Sequence, residues 1–454
     1  MRIAMIGGGY VGLVSAACFA EFGMHVSVVE TNAKRLALLQ SGRVPIYEPG
    51  LEAMLLAHRQ TGRLVFGDDM TAAVQGAEAI FIAVGTPPRK GDGAADMCDV
   101  HRVARQIAQA LTGYAVIVTK STVPVGNSRR IAEIIREVRP DLEFDVASNP
   151  EFLREGKALD DFMHPERVII GLDTKKKHYP TRAEEIMRRV YAALERSSVA
   201  FIFTSLETAE LTKYASNSFL AIKISFINEM ADLCEKLGAN VQDLARGMGL
   251  DSRIGSQFLE PGPGYGGSCL PKDTLALSRI AQENNAICRL VEATVHVNEG
   301  RKASIAGRVI AACGGSVNGR VVAILGLTFK PGTDDMRESP AIPILHRLAE
   351  AGAVLQVYDP EGMQTAKAVL PEKILYCADA YTAVRGADAL VVITDWEVFR
   401  TLSPQRLAQE MRVKLIVDLR NIFNPQIMRQ EGFEYYSIGR PTDCLREEGF
   451  VESK

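Results

Sequence analysis

The sequence predicts a protein of the α/β class, in which two doubly wound parallel sheets are joined by a central helical domain. Two observations lead to this prediction. In the first and last parts of the chain, short apolar stretches alternate with stretches of helical periodicity, a pattern typical of parallel sheets covered by helices on both faces. Between them, apolar residues recur every three or four positions over a long stretch, which predicts a long helix.

The first predicted sheet starts at the first residues of the chain. Arg2–Ile6 has the composition of a buried strand, Leu13–Phe22 that of a helix, and His25–Glu30 that of a second strand. The opening apolar stretch runs directly into glycines, which makes it too short for the core of a signal peptide. Later apolar runs predict the other strands and two candidate extensions: Ala79–Val84, Ala115–Thr119, Asp145–Ser148, Val168–Leu172 and Val199–Phe203.

The central helix is predicted from about Leu206 onward. One side of this helix is apolar at every third or fourth residue, and the other side is apolar too, at Leu220, Ile224 and Ile227. A helix that is apolar on several faces is usually buried, so we expect a spine between two domains and a candidate dimer surface. The residues that set the period are Leu211, Ala215, Phe219, Ile222, Phe226, Met230 and Leu233.

The last part of the chain resembles the first. Val321–Leu325 is a strand followed by glycine, and Ala353–Asp359 is a second strand that ends in an acid. Residues 72–80 also align with residues 382–390, which indicates a duplication unless the match is a chance similarity of helix-to-strand transitions. We therefore expect a first sheet domain at 1–203, a helical domain at 204–300 and a second sheet domain at 318–454.

Composition excludes several classes of protein. The 454 residues are 47% hydrophobic and carry a net charge of −3 with a pI of about 6.2, so nothing indicates binding to nucleic acid or to a membrane surface. No apolar run approaches the ~20 residues of a membrane helix. The eight cysteines have no metal-ligand spacing, which predicts no metal site and favours reduced thiols in a cytoplasmic protein.

Gly7-Gly-Gly-Tyr-Val-Gly12 is a GxGxxG motif between a predicted strand and a predicted helix. In such a motif Gly7 permits a tight turn, Gly9 lets a pyrophosphate approach the backbone, and Gly12 lets helix and strand pack closely. Glu30, at the end of the second strand, can accept hydrogen bonds from a ribose and would repel a 2′-phosphate, which favours NAD over NADP. The alternative is a plain glycine turn.

Other residues near this edge are less specific. Lys34 and Arg35 follow Glu30 and weaken the preference for NAD, and Arg35 is a candidate cofactor contact. Thr86, in Gly85-Thr-Pro-Pro88, follows another strand at the edge where ligands of such sheets bind. It could contact the cofactor or simply cap a turn.

The segment Pro261–Asp273 carries the clearest chemical signal. Its dense glycines indicate a loop pressed against something, and Pro271 suits the first turn of a helix. Cys269 would then lie at the positive end of that helix, where a thiolate is stabilised, with Asp273 one turn further on. This arrangement suits covalent catalysis. The alternative is an inert buried cysteine, which we predict for the other seven.

Two further pairs are spaced four residues apart. Lys213 and Asn217 share one stripe of the central helix and could stabilise an oxyanion, although Lys213 could instead pair with Glu207 or Glu210. Glu151 and Glu155 lie in Asn149–Gly156, where the alternative is a solvated helix start.

Together these segments resemble the UDP-glucose/GDP-mannose dehydrogenase family, and the resemblance covers essentially the whole chain. The matching motifs are Gly7–Gly12, Lys120–Gly126, Asn149–Gly156, Asp251–Gly255, Gly264–Asp273 and Phe329–Pro340. One departure is Leu270 after the cysteine, where many relatives carry phenylalanine. The resemblance implies two Rossmann-like domains and an NAD-dependent, four-electron oxidation of UDP-glucose to UDP-glucuronate.

The resemblance also implies roles for individual residues. Cys269 would add to an aldehyde to give a thiohemiacetal and then a thioester. Lys213, Asn217 and Asp273 would stabilise oxyanions and manage water, and Thr122 and Glu151 would hold the water and the reacting end of the sugar. The implied cofactor contacts are Gly7, Gly9, Tyr10, Val11, Gly12, Glu30, Arg35, Thr86, Thr122, Glu155 and Arg337.

The implied substrate contacts extend into the last domain. Lys330 and Arg420 would face the diphosphate, and Arg253 would reach the sugar from the partner subunit of a homodimer. The other implied substrate contacts are Glu151, Phe152, Leu153, Lys213, Asn217 and Gly266.

Three alternatives stay open at this point. The first is a sibling enzyme acting on GDP-mannose or a UDP-N-acetylhexosamine by the same chemistry. The second is a two-electron alcohol dehydrogenase, which would not need Cys269. The third is an inactive NAD- or sugar-binding regulator.

Overall fold

The computed structural model describes residues 1–87, 89, 94–174, 181–195 and 199–441. Pro88 and Cys444 lie outside the described residues. The chain divides into two compact units, Met1–Ser216 with Arg279–Ala286, and Asn217–Ser278 with Ile287–Lys454.

The first unit contains an eight-stranded sheet in the order β3-β2-β1-β4-β5-β6-β7-β8. The sequence predicts most of these strands to within two residues. Their bounds are β1 Arg2–Ile6, β2 His25–Val29, β3 Leu64–Gly67, β4 Ala79–Ile82, β5 Ala115–Thr119, β6 Phe144–Ser148, β7 Arg167–Leu172 and β8 Ala200–Ser205.

The sheet is parallel from β3 to β6, but β7 pairs antiparallel to β6, with Ser148 opposite Gly171. β8 is again parallel to β7. The two candidate extensions therefore do join the sheet, but in the reverse direction. Apolar composition predicts a buried strand and carries no information about its direction.

Alternate residues of the central strands enter two separate cores, one on each face of the sheet. Met5 and Phe81 pack in one core, and their neighbours Ala4 and Ile80 pack in the other. This alternation explains why the strands are continuously apolar. The covering helices are α1 Tyr10–Glu21, α2 Ala33–Gln40, α3 Leu51–Gln60, α4 Met70–Val74, α5 Cys98–Ala110, α6 Asn127–Val138, α7 Ala158–Met163 and α8 Arg182–Val190.

The central helix, α9, spans Leu206–Leu237. Its buried face carries polar groups, including Lys213, Asn217 and Asn228. The residues that set its period are in part exposed, with Phe219 63% and Leu233 45% accessible in the single chain. This face is therefore not fully covered within the single chain, because periodicity shows that a face is apolar without showing what covers it.

The second unit contains a six-stranded parallel sheet in the order β11-β10-β9-β12-β13-β14. The first six strands of the first sheet have this same order, β3-β2-β1-β4-β5-β6. Its strands are β9 Val321–Leu325, β10 Val354–Tyr358, β11 Ile374–Tyr376, β12 Ala389–Val392, β13 Leu415–Asp418 and β14 Glu434–Ser437.

The two repeated sequence segments occupy corresponding places in the two sheets. One leads from α4 into β4, and the other leads from the helix Ala380–Val384 into β12. The remaining helices are α10 Val241–Gly249, α11 Leu270–Glu283, α12 Arg289–Ala312, α13 Ala341–Glu350, α14 Met363–Ala366, α15 Ala380–Val384, α16 Glu397–Arg400, α17 Pro404–Glu410 and α18 Pro425–Gln430.

Among the described residues, no helix is long and apolar enough to cross a bilayer, and no group of three or more His, Cys, Asp or Glu side chains is placed to hold a metal ion. The prediction that every cysteine except Cys269 is buried is wrong for Cys98, which is exposed at the start of α5, and for Cys288, which is half-buried.

Candidate active site

The glycine motif of the first unit forms a tight turn at the carboxyl end of β1. Gly7 has φ +116°, and a Cβ there would lie 2.6 Å from the carbonyl oxygen of Ala83. A Cβ on Gly12 would lie 1.9 Å from the carbonyl oxygen of Gly7, whereas one on Gly9 would meet nothing within 4 Å. The turn thus needs Gly7 and Gly12 for packing, and Gly9 leaves open space before the first N–H groups of α1.

The acid predicted for ribose binding lies beside this turn. Glu30 is 7% exposed, and its Oε1 accepts the N–H of Asn32 at 2.7 Å. A Cβ on Gly8 would lie 2.8 Å from its Oε2. Arg35 is exposed in the first turn of α2, where its N–H donates to the Asn32 side chain.

Two predicted threonines connect the ends of β4 and β5. The Oγ1 of Thr86 donates to the carbonyl oxygen of Thr122 at 2.8 Å. This bond favours the turn-stabilising role for the Thr86 hydroxyl, and it places both residues at the same edge of the sheet as the glycine turn.

Tyr10, the first residue of α1, directs its hydroxyl to the Glu48 carboxylate and accepts the N–H of Gly156 at 3.1 Å. Burial, together with the Glu48 hydrogen bond, raises the pKa of Tyr10, so the phenol stays protonated. Val11 follows and is partly buried.

Lys213 pairs with Glu151 and not with the acids considered from the sequence. Its Nζ lies 2.9 Å from Oε1 of Glu151 and donates to the Glu151 carbonyl at 2.8 Å. Glu207 instead binds Arg129, and Glu210 accepts the N–H groups at the start of α6. The structure thus joins two predicted catalytic residues that are far apart in the sequence.

The Glu151 carboxylate is held in its charged form. Burial alone would raise its pKa, but the ammonium of Lys213 and the N–H of Leu153, which donates at 2.6 Å, outweigh burial and lower the pKa below its usual value. Glu151 is buried and precedes α7 by several residues. A solvated helix start is therefore the wrong interpretation for Glu151. Phe152 lies under the guanidinium of Arg167, 4.2 Å from its ring centroid.

A buried network beside Glu151 went unrecognised in the sequence. The Nζ of Lys120, which follows β5, donates to Oδ1 of Asn149, which follows β6, at 3.0 Å. The hydroxyl of Tyr191 donates to the same oxygen. Burial lowers the pKa of Lys120 to about 8. The available signal was a pair of polar residues placed directly after two buried strands.

In the second unit, Cys269 lies directly before α11, and its carbonyl oxygen accepts the N–H of Asp273 at 2.9 Å. Its side chain is half-buried, and Sγ lies 3.6 Å from the Ser268 hydroxyl. Asp273 is fully buried and accepts from Nδ2 of Asn217 at 2.6 Å. The thiol therefore lies at the positive end of a helix whose first turn also carries Asp273.

The glycines before Cys269 lie against the segment after β9. A Cβ on Gly266 would lie 2.2 Å from the carbonyl oxygen of Glu338, and one on Gly267 would lie 2.6 Å from the Phe329 ring. The N–H of Gly267 also donates to the carbonyl oxygen of Arg337. The prediction of a loop in close contact is confirmed, and its contact is with the chain itself.

Arg420 follows β13 and donates from Nε to the Ile393 carbonyl and from Nη2 to the Phe329 carbonyl, at 2.8 and 3.3 Å. The guanidinium of Arg420 therefore lies beside Phe329, the residue that precedes Lys330. A Cβ on Gly262 would lie 2.8 Å from Nη1 of Arg420.

Two predicted arginines are exposed. The side chain of Arg337 is 66% accessible and pairs with Asp335, and that of Arg253 is 87% accessible and pairs with Asp251. Each of these partners lies two residues away in the sequence.

Comparisons with known proteins cover nearly the whole described chain. Family models of the UDP-glucose/GDP-mannose dehydrogenase family match at residues 1–195 for the NAD binding domain, 207–300 for the central domain and 323–425 for the UDP binding domain.

Among individual proteins, the UDP-glucose 6-dehydrogenase of Rhizobium meliloti strain 1021 is 53% identical, over 97% of this chain and all of that protein. A solved UDP-glucose dehydrogenase of Pyrobaculum islandicum has a TM-score of 0.87 at 37% identity, covering 97% of this chain and 98% of that one. A UDP-D-ManNAc dehydrogenase of Pyrococcus horikoshii has a TM-score of 0.84 at 27% identity, covering 97% and 100%.

Proposed function

The chain belongs to the UDP-glucose/GDP-mannose dehydrogenase family, and on that premise we propose that it is an NAD-dependent enzyme that oxidises UDP-glucose to UDP-glucuronate. The observation that carries this proposal is Cys269, a half-buried thiol directly before α11, the helix whose first turn carries Asp273 in its pair with Asn217. A simple alcohol oxidation needs no thiol, whereas oxidation of an aldehyde to an acid does need a group that adds to it.

Apart from Arg337, the proposed cofactor residues lie in the first unit. The open space at Gly9, the N-terminus of α1 and the carboxylate of Glu30 fit a pyrophosphate and a ribose. When bound, NAD supplies the electron acceptor for each of the two oxidations. We assign cofactor binding to 1–203, the catalytic cysteine to 204–300 and nucleotide-sugar binding to 318–454.

We assign the covalent step to Cys269. Its thiolate adds to the C6 aldehyde, which forms a C–S bond and an oxyanion and gives a thiohemiacetal. Loss of two electrons and a proton from that adduct leaves a thioester. Water then cleaves the C–S bond, so that the carboxylate leaves and the thiol is restored. The helix N-terminus favours the thiolate required for the first step.

Other polar groups are assigned supporting roles. Lys213 and Asn217 would donate to the oxyanion, and Asp273 would orient Asn217 and accept a proton from water. Glu151 and Thr122 would hold the water and the reacting end of the sugar. Glu155, Arg35 and Arg337 remain candidate cofactor contacts.

The nucleotide half of the substrate needs positive charge, which the net charge of the protein does not supply. Arg420 and Lys330 meet this need at the carboxyl edge of the second sheet. Phe152, Leu153 and Gly266 are assigned to the walls of the sugar site.

We also propose a homodimer in which α9 is part of the interface. The exposed apolar residues Phe219, Phe226, Leu233 and Leu237 lie along one side of this helix, and exposed patches of this kind mark interaction surfaces. Arg253 is free to extend and would reach the sugar bound by the other subunit. A cytoplasmic location is supported by the cysteines of the described residues, all of which are free thiols.

The decisive measurement is the number of NADH formed per UDP-glucose consumed, for which we expect two, with UDP-glucuronate as the product. The Cys269→Ala variant should form at most one NADH per active site and lose turnover to the acid by roughly a thousandfold or more. Cys98→Ala, which changes an exposed cysteine, is the control. Full turnover to the acid by Cys269→Ala would contradict the mechanism.

The alternative substrates are tested in the same assay. The 53% identity to a UDP-glucose 6-dehydrogenase, against 27% to a UDP-D-ManNAc dehydrogenase, favours UDP-glucose. We expect the highest kcat/KM for UDP-glucose when it is compared with GDP-mannose and UDP-N-acetylmannosamine. A higher value for either of the others would reassign the substrate, and no NADH from any of them would indicate a binding protein.

The role of Arg253 is tested by complementation. We expect that mixing the inactive Cys269→Ala and Arg253→Ala chains restores activity, because a hybrid dimer contains one site with both groups intact. No recovery in dimers shown to have exchanged subunits would place Arg253 in its own chain's site or outside the site.

A further inference from the structure

Glu48 lies between α2 and α3, away from every motif singled out in the sequence, and yet its carboxylate is 7% exposed. Both of its oxygens are occupied. Oε1 accepts the N–H of Ala158 at 2.8 Å, and Oε2 accepts the N–H of Gly156 at 2.7 Å together with the hydroxyl of Tyr10. A nearly buried carboxylate with this many donors is fixed in position.

The donors come from two segments, one that is assigned to the cofactor and one that is assigned to the sugar. Tyr10 is the first residue of α1 and follows directly on the glycine turn. Gly156 closes the loop that begins after β6 and carries Glu151 and Glu155. Its N–H also donates to the Tyr10 hydroxyl, at 3.1 Å. The three groups therefore form one closed set of hydrogen bonds between the cofactor turn and the substrate loop.

The charge of Glu48 matters to this set. Hydrogen bonds to an ionised acceptor are roughly twice as strong as those between neutral groups. The carboxylate also accepts the N–H of Ala158, the first residue of α7. Glutamine in its place would keep the size of the side chain but lose the charge and one acceptor oxygen.

We propose that Glu48 is a positioning residue that couples occupation of the cofactor turn, through Tyr10, to ordering of the substrate loop 149–157. This inference rests on the proposed function. It predicts that NAD, bound at the glycine turn, reduces the mobility of a loop that carries the groups assigned to the sugar. Order in that loop would thus follow binding of the cofactor.

The test combines backbone hydrogen exchange with kinetics. In the unchanged chain, NAD should slow amide exchange across 149–158. Tyr10→Phe, which removes one hydroxyl, should abolish this NAD-dependent slowing. Glu48→Gln should speed exchange of the loop even without NAD and lower kcat/KM for UDP-glucose by roughly 10- to 100-fold, since small misplacements of catalytic groups cost that much.

Glu52→Gln, a change of an exposed acid in the first turn of α3, is the matched control and should behave as the unchanged protein in both measurements. If Glu48→Gln fails to fold, Tyr10→Phe carries the test alone. Equal NAD-dependent protection of the loop in Tyr10→Phe and in the unchanged chain would overturn the inference. A chain that binds NAD but oxidises no nucleotide sugar would overturn the proposed function and leave the exchange result to decide this one.

Discussion

At the scale of single residues, the buried ion pair of Lys213 and Glu151 combines stability with chemistry. Both side chains are less than a tenth exposed, and each also bonds a backbone group or a charge close by. Each charge is tolerated in the interior only because the other is present. The pair therefore presents a fixed ammonium and a fixed carboxylate at the carboxyl edge of the sheet.

Lys213→Ala should both destabilise and inactivate the protein. Removal of the ammonium leaves the Glu151 carboxylate buried without its partner, at a cost of about 3–5 kcal/mol in the free energy of unfolding. The measurement is denaturant unfolding together with kcat for UDP-glucose oxidation. Lys236→Ala, in the exposed last turn of α9, should change neither. A Lys213→Ala protein of unchanged stability would contradict the pairing.

The buried amine of Lys120 predicts a dependence of stability on pH. Its pKa is about 8 in the folded chain against 10.5 for the free side chain. Between these values the unfolded chain holds a proton that the folded chain lacks, so this group makes folding more favourable as pH rises, by up to about 1.4 kcal/mol per pH unit. Below pH 8 both states are protonated and the dependence vanishes.

The test compares the thermal unfolding midpoint, Tm, of the unchanged protein with that of Lys120→Met. We expect the difference in Tm to shift in favour of the unchanged protein as the pH increases from 8 to 10.5, and to stay constant below pH 8. Every other titrating group is common to both proteins and largely cancels in the comparison. A constant difference across the whole range would show that Lys120 keeps its ordinary pKa.

At the scale of elements, the glycine loop before α11 is constrained by the segment that packs against it. A side chain at position 266 would collide with the carbonyl oxygen of Glu338. This oxygen belongs to the backbone and cannot rotate out of the way as a side chain could. The loop positions Cys269 at the helix start, so its geometry and the reactivity of the thiol depend on the same contact.

Gly266→Ala and Gly300→Ala should have opposite effects. The added methyl at Gly266 would force the loop from Glu338, lowering stability and activity together. At Gly300, exposed within α12 with nothing within 4 Å of a Cβ, alanine should stabilise by about 0.5–1 kcal/mol. Thermal unfolding and kcat measure both changes. Equal tolerance at the two positions would contradict the packing of the loop.

At the scale of the whole molecule, two sheets that share an order of six strands differ at the edge that follows their first two strands. In the first, the turn after β1 leaves its N–H groups open at Gly9. In the second, Asp359, which follows β10 as Glu30 follows β2, turns back onto the turn after β9 and accepts from the N–H groups of Leu327 and Thr328. At this turn the carboxylate of Asp359 therefore already accepts from the N–H groups that a bound phosphate would need.

This difference predicts one NAD per chain. Isothermal titration should give a stoichiometry of one, and Gly9→Val, which fills the open space of the first turn, should abolish binding. Residual binding of a second NAD in that variant would show that the turn after β9 is also available to a dinucleotide.

The sequence predicts features that a few consecutive residues encode. The glycine turn and the cysteine before α11 follow from local conformation and local chemistry, so both were identified together with their roles in the fold. Lys213 and Glu151 are 62 positions apart in the sequence. Glu48 lies 38 positions from Tyr10 and 108 positions from Gly156. No local pattern records such distances, so local reasoning offers Glu207 and Glu210 only as alternative partners of Lys213, and it gives no role to Glu48.

The reversed direction of β7 has a consequence for the space available at the sheet edge. A parallel neighbour would require the chain leaving β6 to travel back along the face of the sheet before it could enter the next strand. Because β7 runs the other way, the entire stretch 149–166 can stay where β6 ends, and none of it serves as a return path. One inverted strand thus releases a long connection to carry side chains at the edge where the dinucleotide turn also lies.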